Sequence, residues 1–333
     1  MESFTEMGKK LSVIKGILTN KIKVCEFALT NICSAQCSFC TIWKQQPKVV
    51  VDTEKAIKAV RHLSRLGVRF ITLTGGEPLL HPNFEKIAAE CSKENIITSI
   101  LNADARLFTE QRLDALKRAK VDYVAISVDH YTNKVEFESR KIPGLLDHIK
   151  KAVSELKKRK IKTVASILIS NFNHNCLGKL FKKCEELGFD TIAVNYPEFS
   201  ESPVYTLGGE AIKLTNVQVI KALEEVIKLK KEFKIVNPVD SLNNIISYLK
   251  KETPPYPCLG GYLTLFVAWN FKVYPCMHLA KSFGDVLDLK PSDFKKMPCN
   301  KCNMSWYRDF SIFFHGAKSL KPLIKEVGNL GKY

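Results

Sequence analysis

The chain has 333 residues, 45% of them apolar, and a formal net charge of +17 from 51 Lys and Arg against 34 Asp and Glu. That apolar share excludes general disorder, and no apolar run reaches the roughly 18 residues of a membrane span. "MESFTEMGKKLSVIKGILTNK" has neither the apolar h-region nor the small-residue cleavage site of a secretory signal, so the expected location is the cytoplasm. The positive charge suits anionic partners such as nucleic acid, lipid head groups or phosphorylated substrates. The plainer account is lysine on solvated helix faces, as in "KKAVSELKKRKIK", a habit also of heat-adapted proteins.

In chain order, residues 1–22 form an N-terminal segment in which Leu11, Ile14, Ile17, Leu18 and Ile22 make an apolar helical stripe flanked by Lys9, Lys10, Lys15, Lys21 and Lys23. Basic amphipathic helices suit anionic membrane surfaces; the preferred expectation is a helix that caps the bottom of the fold. From 23 to 235, β-rich runs alternate with helical periodicity. The runs are "VCEFALT" (24–30), "FITLTG" (70–75), "IITSILN" (96–102), "YVAISVD" (123–129), "TVASILIS" (163–170) and "TIAVNYP" (191–197). Between the first two, Ala56, Val60, Leu63 and Leu66 share a helical stripe that Gly67 closes. Six such units predict an α/β fold with a parallel sheet and right-handed crossovers, an open, partial (β/α)6 barrel short of the eight units of a TIM barrel. A loop is expected from about 198 to 214, a helix from 216 to 234 and a connecting helix over 236–254, before "TPPYP" breaks the pattern. Residues 255–315 open with a hairpin turning at "WNFK" and form a small cysteine-rich unit with little core; 316–333 is a tail mixing apolar residues with lysine.

Eleven cysteines, an odd number in a reducing compartment, disfavour a disulfide framework and favour metal or cluster binding for those that group. Cys33, Cys37 and Cys40 lie just after the first strand, and Cys258, Cys276, Cys299 and Cys302 near the end. Cys25, Cys91, Cys176 and Cys184 are scattered and read as small core hydrophobes. Three thiolates on a loop at the C-terminal edge of the sheet can hold three irons of a four-iron cube and leave one iron open for chemistry. A zinc site or three core cysteines are the alternatives.

The C-x3-C-x2-C spacing of "CSAQCSFC", with Phe39 before the last cysteine, "TGGEP" at the second strand end and "SVD" at the fourth, resembles the radical S-adenosylmethionine (SAM) superfamily. The resemblance runs from about residue 20 to 310. It implies that Cys33, Cys37 and Cys40 bind a [4Fe–4S] cluster with one open iron, which SAM chelates through its amine and carboxylate. It also implies that Gly75 and Gly76 let backbone approach SAM, that Glu77 accepts from its amine, and that Ser127 and Asp129 touch its polar groups. Asn102 is the candidate for its ribose, Arg140 for its carboxylate and Phe39 for its adenine. The implied activity is reductive cleavage of SAM to a 5′-deoxyadenosyl radical, which takes hydrogen from an unactivated substrate carbon.

The C-terminal pattern, Cys258, then "FKVYPC", "FGDV" and "PCNKC", resembles a SPASM domain in its shortened twitch form. This implies one auxiliary [4Fe–4S] cluster on Cys258, Cys276, Cys299 and Cys302; a zinc ribbon is the alternative. His278 is expected beside that site rather than in it. Asn270 or Lys272 stands where the pattern often has a turn glycine.

The substrate is the thin part. A lipid, sugar or other small metabolite is the first expectation, by carbon–carbon bond formation or oxidation, with a peptide or protein as the alternative. With about 20 residues before the first strand, neither a leader-binding nor a cobalamin domain is expected. A flavodoxin- or ferredoxin-type electron donor is expected, an anionic substrate or membrane surface is an option, and no stable nucleic-acid partner is expected. A zinc-containing nucleic-acid-binding protein is the remote alternative.

Overall fold

The computed structural model describes residues 4–19, 21–102, 104–196, 200–201, 206–207, 212–295, 299–300, 302 and 304–317. The six expected strands are β1 (Lys23–Ala28), β2 (Val68–Thr74), β3 (Ile97–Asn102), β4 (Tyr123–Ser127), β5 (Lys162–Leu168) and β6 (Thr191–Asn195). They pair in parallel in chain order, with registers such as Phe27↔Leu73, Leu73↔Ile100 and Ile100↔Val124. The sheet is open, as expected of a partial barrel. All six residues of β1 are buried, the pattern of a strand covered on both faces.

Local chemistry explains the helices. In α2 (Thr53–Arg65) the Asp52 side chain accepts from the Lys55 amide at 2.7 Å, capping the N-terminus, and Ala56, Ala59, Val60 and Leu63 form the buried stripe. The helix stops where Gly67 takes φ +99°, and a Cβ there would stand 2.2 Å from the Lys21 carbonyl oxygen. The helices α3 (Phe84–Lys93), α4 (Glu110–Arg118), α5 (Asn133–Arg140), α6 (Leu145–Lys158) and α7 (Leu177–Leu187) complete the crossovers. Cys25, Cys91 and Cys184 are buried in the main core, as expected of small hydrophobes; Cys176 is only half-buried.

Four features differ from expectation. The helix expected from 216 to 234 is α8 (Asn216–Leu229) and ends five residues early. Ile235 leaves it to bridge Ile192 of β6, and the Lys230 ammonium donates to the carbonyls of Ile235 and Asn237. The connecting helix is α9 (Val239–Leu249), shorter than 236–254 and begun after Pro238. Of the expected loop, β7 (Ser200–Glu201) pairs with β8 (Thr206–Leu207), and most of the rest lies outside the described residues. The tail beyond 317 also lies outside them.

The third difference concerns the small C-terminal unit. Its hairpin, β9 (Thr264–Val267) and β10 (Lys272–Tyr274), turns at the expected place, but Phe271, not Asn270 or Lys272, has the left-handed φ of +63°. The strand β9 lies parallel to β1, with Cys25↔Leu265 and Phe27↔Val267. With β11 (Gly284–Asp285) on the outside, one nine-stranded sheet results. The expected boundary at 255 thus falls between a helix and a strand of the same sheet. A buried first strand has two edges to satisfy, and β9 satisfies the second. The last described helix, α10 (Ser305–Ala317), packs on α9, β6 and β9.

The fourth is α1 (Phe4–Leu18). It does lie at the bottom edge of the sheet, but not by its apolar stripe. Lys9 is the buried residue: its ammonium donates to the Asp122 carboxylate at 2.6 Å and to the Lys120 carbonyl at 3.0 Å. Asp122 also accepts from the Thr98 amide at 2.7 Å, so the lysine locks the entries to β3 and β4. Meanwhile Met7, Leu11, Ile14 and Leu18 face outward, Leu11 59% and Leu18 75% exposed. Among the described residues no helix is long and apolar enough to cross a membrane.

Candidate active site

The loop after β1 carries Cys33, Cys37 and Cys40, and its ends are tied together. The Thr30 hydroxyl donates to the Val49 carbonyl at 2.7 Å; the Asn31 side chain donates to the Pro47 carbonyl at 2.9 Å and accepts from the Val49 amide at 2.7 Å. The middle of the loop docks on the end of α5, through the Gln36 amide to the Arg140 carbonyl and the Ser38 amide to the Ser139 carbonyl. Burial pushes all three thiols up, Cys37 to about 12 against the opposing pull of Arg140. Such thiols give up their protons when a metal takes their place, which is how cluster binding couples to deprotonation.

The three sulfurs line a cleft of ≈ 170 Å³ together with Phe39, Gly75, Gly76, Asn102, Ser127 and Arg140. This volume is below the roughly 300–1,000 Å³ of an ordinary ligand pocket, so a cofactor and a substrate together require its open side. Asn102 and Ser127 are the last residues of β3 and β4, and Gly75 follows β2, so the site sits at the C-terminal edge of the sheet. A Cβ on Gly75, where φ is +135°, would stand 2.3 Å from the Thr30 carbonyl oxygen, and one on Gly76 2.2 Å from that of Ile32. The glycines thus let the end of β2 press against the cysteine loop, with the Gly76 amide on Thr30 at 2.7 Å and the Glu77 amide on Ile32 at 2.8 Å. Asn102 Oδ1 is buried on the cleft wall without a partner among the described residues, an acceptor that suits a ligand donor.

Glu77 and Asp129, two of the expected cofactor contacts, have protein partners in this structure. Glu77 is fully buried off the cleft wall, and its carboxylate accepts from the Leu79 amide, Asn102 Nδ2 at 2.9 Å and the Asp104 amide at 3.1 Å. It clamps the turns after β2 and β3 and orients Asn102. Asp129 accepts from the Ser139 hydroxyl and from Arg140 Nη2 at 2.9 Å, behind the wall. Arg140 is correspondingly engaged: it pairs with Asp129, stands 3.8 Å from Glu136, and its Nη1 lies 3.7 Å from Cys37 Sγ. Its guanidinium is 5.6 Å from the Phe39 ring. Burial alone would lower its pKa, but Asp129, Cys37 and Glu136 outweigh burial and hold it above the usual value. The geometry ties Arg140 to the cysteine loop and its two carboxylates.

Glu26 and Met277 also line the cleft and were missed. Glu26 lies in β1, accepts from the Tyr307 hydroxyl at 2.7 Å, and is pushed by burial to about 7. A lone carboxylate in an apolar strand just before the cysteine motif was the available signal. Met277 brings the C-terminal segment to the same wall.

That segment gathers the second cysteine group. Cys258 and Cys299 form an antiparallel bridge, amide to carbonyl at 2.8 and 3.2 Å, and Cys276 and Cys302 pack in the same apolar cluster. Burial pushes the Cys276 thiol to about 11 while the amides of His278 and Leu279 pull it down. His278 thus approaches through its backbone, and its Nδ1 is buried without a partner among the described residues. Arg308 of α10 is 1% exposed and donates from Nε to the Cys302 carbonyl at 2.6 Å, yet neither Nη1 nor Nη2 has a hydrogen-bond partner among the described residues. A buried guanidinium left this way calls for an anion, and four thiolates on an iron cluster supply one. Among the described residues no three His, Cys, Asp or Glu side chains converge as around a single metal ion; in a cube each thiolate has its own iron. A roomier surface cleft of ≈ 500 Å³, bordered by Tyr248, Lys251 and Asn300, carries none of the cysteines.

Among curated proteins, the AdoMet-dependent heme synthase of Methanosarcina barkeri is 23% identical over 81% of this chain and 80% of its own length. The GTP 3′,8-cyclase of Aquifex aeolicus is 28% identical over 54% of this chain and 58% of its own. Among solved structures, SuiB of Streptococcus suis bound to S-adenosylmethionine superposes with a TM-score of 0.63 at 16% identity, over 80% of this chain and 64% of that one. The enzyme anSMEcpe with bound AdoMet also gives 0.63, at 17% identity over 82% and 80%. At these identities the structures establish a shared fold. The model of the Radical SAM superfamily matches residues 27–184, which hold all three cysteines of the first group, the Gly75–Gly76 turn and Ser127, and this part of the chain belongs to that superfamily of SAM- and [4Fe–4S]-dependent enzymes.

Proposed function

We propose that the protein is a radical SAM enzyme that modifies a small metabolite, with a second [4Fe–4S] cluster beside the site. The observation that carries the reading is the convergence of Cys33, Cys37 and Cys40 with Gly75, Gly76 and the unpartnered Asn102 Oδ1 on one cleft wall. Cys33, Cys37 and Cys40 would hold the first cluster, and Cys258, Cys276, Cys299 and Cys302 the second. When bound, the first cluster and SAM supply a radical that takes hydrogen from a substrate carbon. The chain's own residues do the rest. The glycine turn admits the cofactor backbone-close, and Asn102, oriented by Glu77, offers it an acceptor. Ser127 lines the same wall, and Arg140 steadies the cysteine loop. Glu26, with Tyr307 donating to it, is a carboxylate poised to take a proton or anchor a polar substrate group.

A small substrate is supported by the heme synthase relative, which aligns along most of both chains. A peptide substrate is the second reading, favoured by the fold shared with SuiB bound to its precursor peptide SuiA and with anSMEcpe bound to Cp18Cys peptide. The outward apolar row of α1, with exposed Lys10 and Lys15 beside it, supports a stay at an anionic membrane surface. Pelleting with anionic vesicles, lost in Leu11→Glu, is the check. The reductant is an external donor of flavodoxin or ferredoxin type.

Anaerobic reconstitution tests the core reading. About eight irons per chain are expected, falling to about four in Cys33→Ala or Cys258→Ala. 5′-Deoxyadenosine should form in the parent and vanish in Cys33→Ala. No 5′-deoxyadenosine with any reductant would sink the reading, and about four irons unchanged by Cys258→Ala would sink the second cluster.

A further inference from the structure

Two arginines stand beside the two cysteine groups, and their surroundings differ. Arg140 touches Cys37 but is matched by Asp129 at 2.9 Å and Glu136 at 3.8 Å, so the first group has little net positive charge beside it. Arg308 touches the second group through the Cys302 carbonyl, to which its Nε donates at 2.6 Å. Among the described residues no carboxylate pairs with it. Asp309, next in the chain, turns away to Asn237 and Ser241, and the Tyr248 ring lies 5.3 Å from the Arg308 guanidinium. One helical turn further, the Ser311 oxygen lies 3.9 Å from Cys258 Sγ, while its hydroxyl donates to the Tyr307 carbonyl at 2.6 Å. The helix α10 therefore brings to this group one positive charge that no carboxylate among the described residues matches.

We propose that Arg308 is the counter-charge of the second cysteine group and sets the reduction potential of the cluster it holds. The proposal rests on the reading that Cys258, Cys276, Cys299 and Cys302 hold such a cluster. Reduction adds one negative charge to the cluster, and a fixed cation in a buried, weakly screened site stabilises the reduced form more than the oxidised one. The first group, whose arginine is neutralised by carboxylates, receives no comparable bias.

The test separates the proposal from the reading beneath it. A Cys33→Ala, Cys37→Ala, Cys40→Ala background leaves only the second cluster, expected at about four irons per chain. In that background Arg308→Met and Arg308→Gln are reconstituted and titrated against a redox scale by electron paramagnetic resonance. Both should shift the midpoint to more negative potential at unchanged iron content, while Arg308→Lys keeps most of the parent value. Equal midpoints in the parent and in whichever neutral variant loads iron overturn the proposal. If neither neutral variant retains iron while Arg308→Lys does, the need for a cation is supported by retention itself. Absence of iron in the triple-alanine background removes the cluster reading instead.

Discussion

Gly76 has no room for a side chain. Its Cβ would stand 2.2 Å from a backbone oxygen that cannot swing aside, so Gly76→Ala should separate β2 from the cysteine loop. Melting should show a loss of about 1–3 kcal/mol, and 5′-deoxyadenosine formation should fall more than stability does. Unchanged activity would show that the contact is not needed for the cleft. Much of the site at this scale was legible: three cysteines, two glycines, Asn102 and Ser127 all stand where strand ends predicted. For Glu77 and Asp129 the motif positions say where each residue lies, not which neighbours claim its oxygens. The rivals come from elsewhere in the fold: Asn102 and Asp104 claim Glu77, Ser139 and Arg140 claim Asp129. Glu26 shows in the sequence only as a carboxylate in an apolar strand; its environment depends on Tyr307, 281 residues away.

The element that does most for its length is α10. Tyr307 faces Glu26, Arg308 and Ser311 face the second cysteine group, and Asp309 ties the helix to Asn237 and to Ser241 of α9. Burial pushes the Asp309 carboxyl up to about 6, opposed by the Ser241 and Asn237 donors. Its native state then binds the proton more tightly than the unfolded chain. Stability from this group is full below the unfolded value near 3.8, declines as pH rises to about 6, and is flat above. The difference amounts to about 2–3 kcal/mol at most, less screening at a partly exposed site. Asp309→Asn should lack this slope, so its melting temperature relative to the parent should rise between pH 4 and 6.5. Parallel curves would show that Asp309 does not titrate with folding. The helix α1 teaches a different lesson. Its periodicity names a stripe without saying which face is turned in; the Lys9–Asp122 pair decides that, and only the fold brings the two together.

At the scale of the molecule, the sequence suggests a barrel and an appendage, whereas β9 beside β1 makes them one sheet. No local pattern announces a parallel pairing between strands some 240 residues apart, since neither partner's composition carries the other's register. Truncation after residue 254 should therefore strip the edge of β1 and yield aggregated protein rather than a soluble core. Soluble yield and light scattering check this; a monomeric, iron-loaded fragment would show that the edge needs no cover.

The continuous sheet also sets a distance. The cysteine loop leaves the end of β1, and Cys276 follows the hairpin whose first strand is paired to it, Glu26↔Phe266 and Phe27↔Val267. The gap between the two sulfur-rich groups is thus counted in ladder rungs, with no hinge to widen it. Tunnelling slows exponentially with separation, so, were both groups to hold clusters, a gap fixed in this way would hold the rate of any electron exchange between them steady.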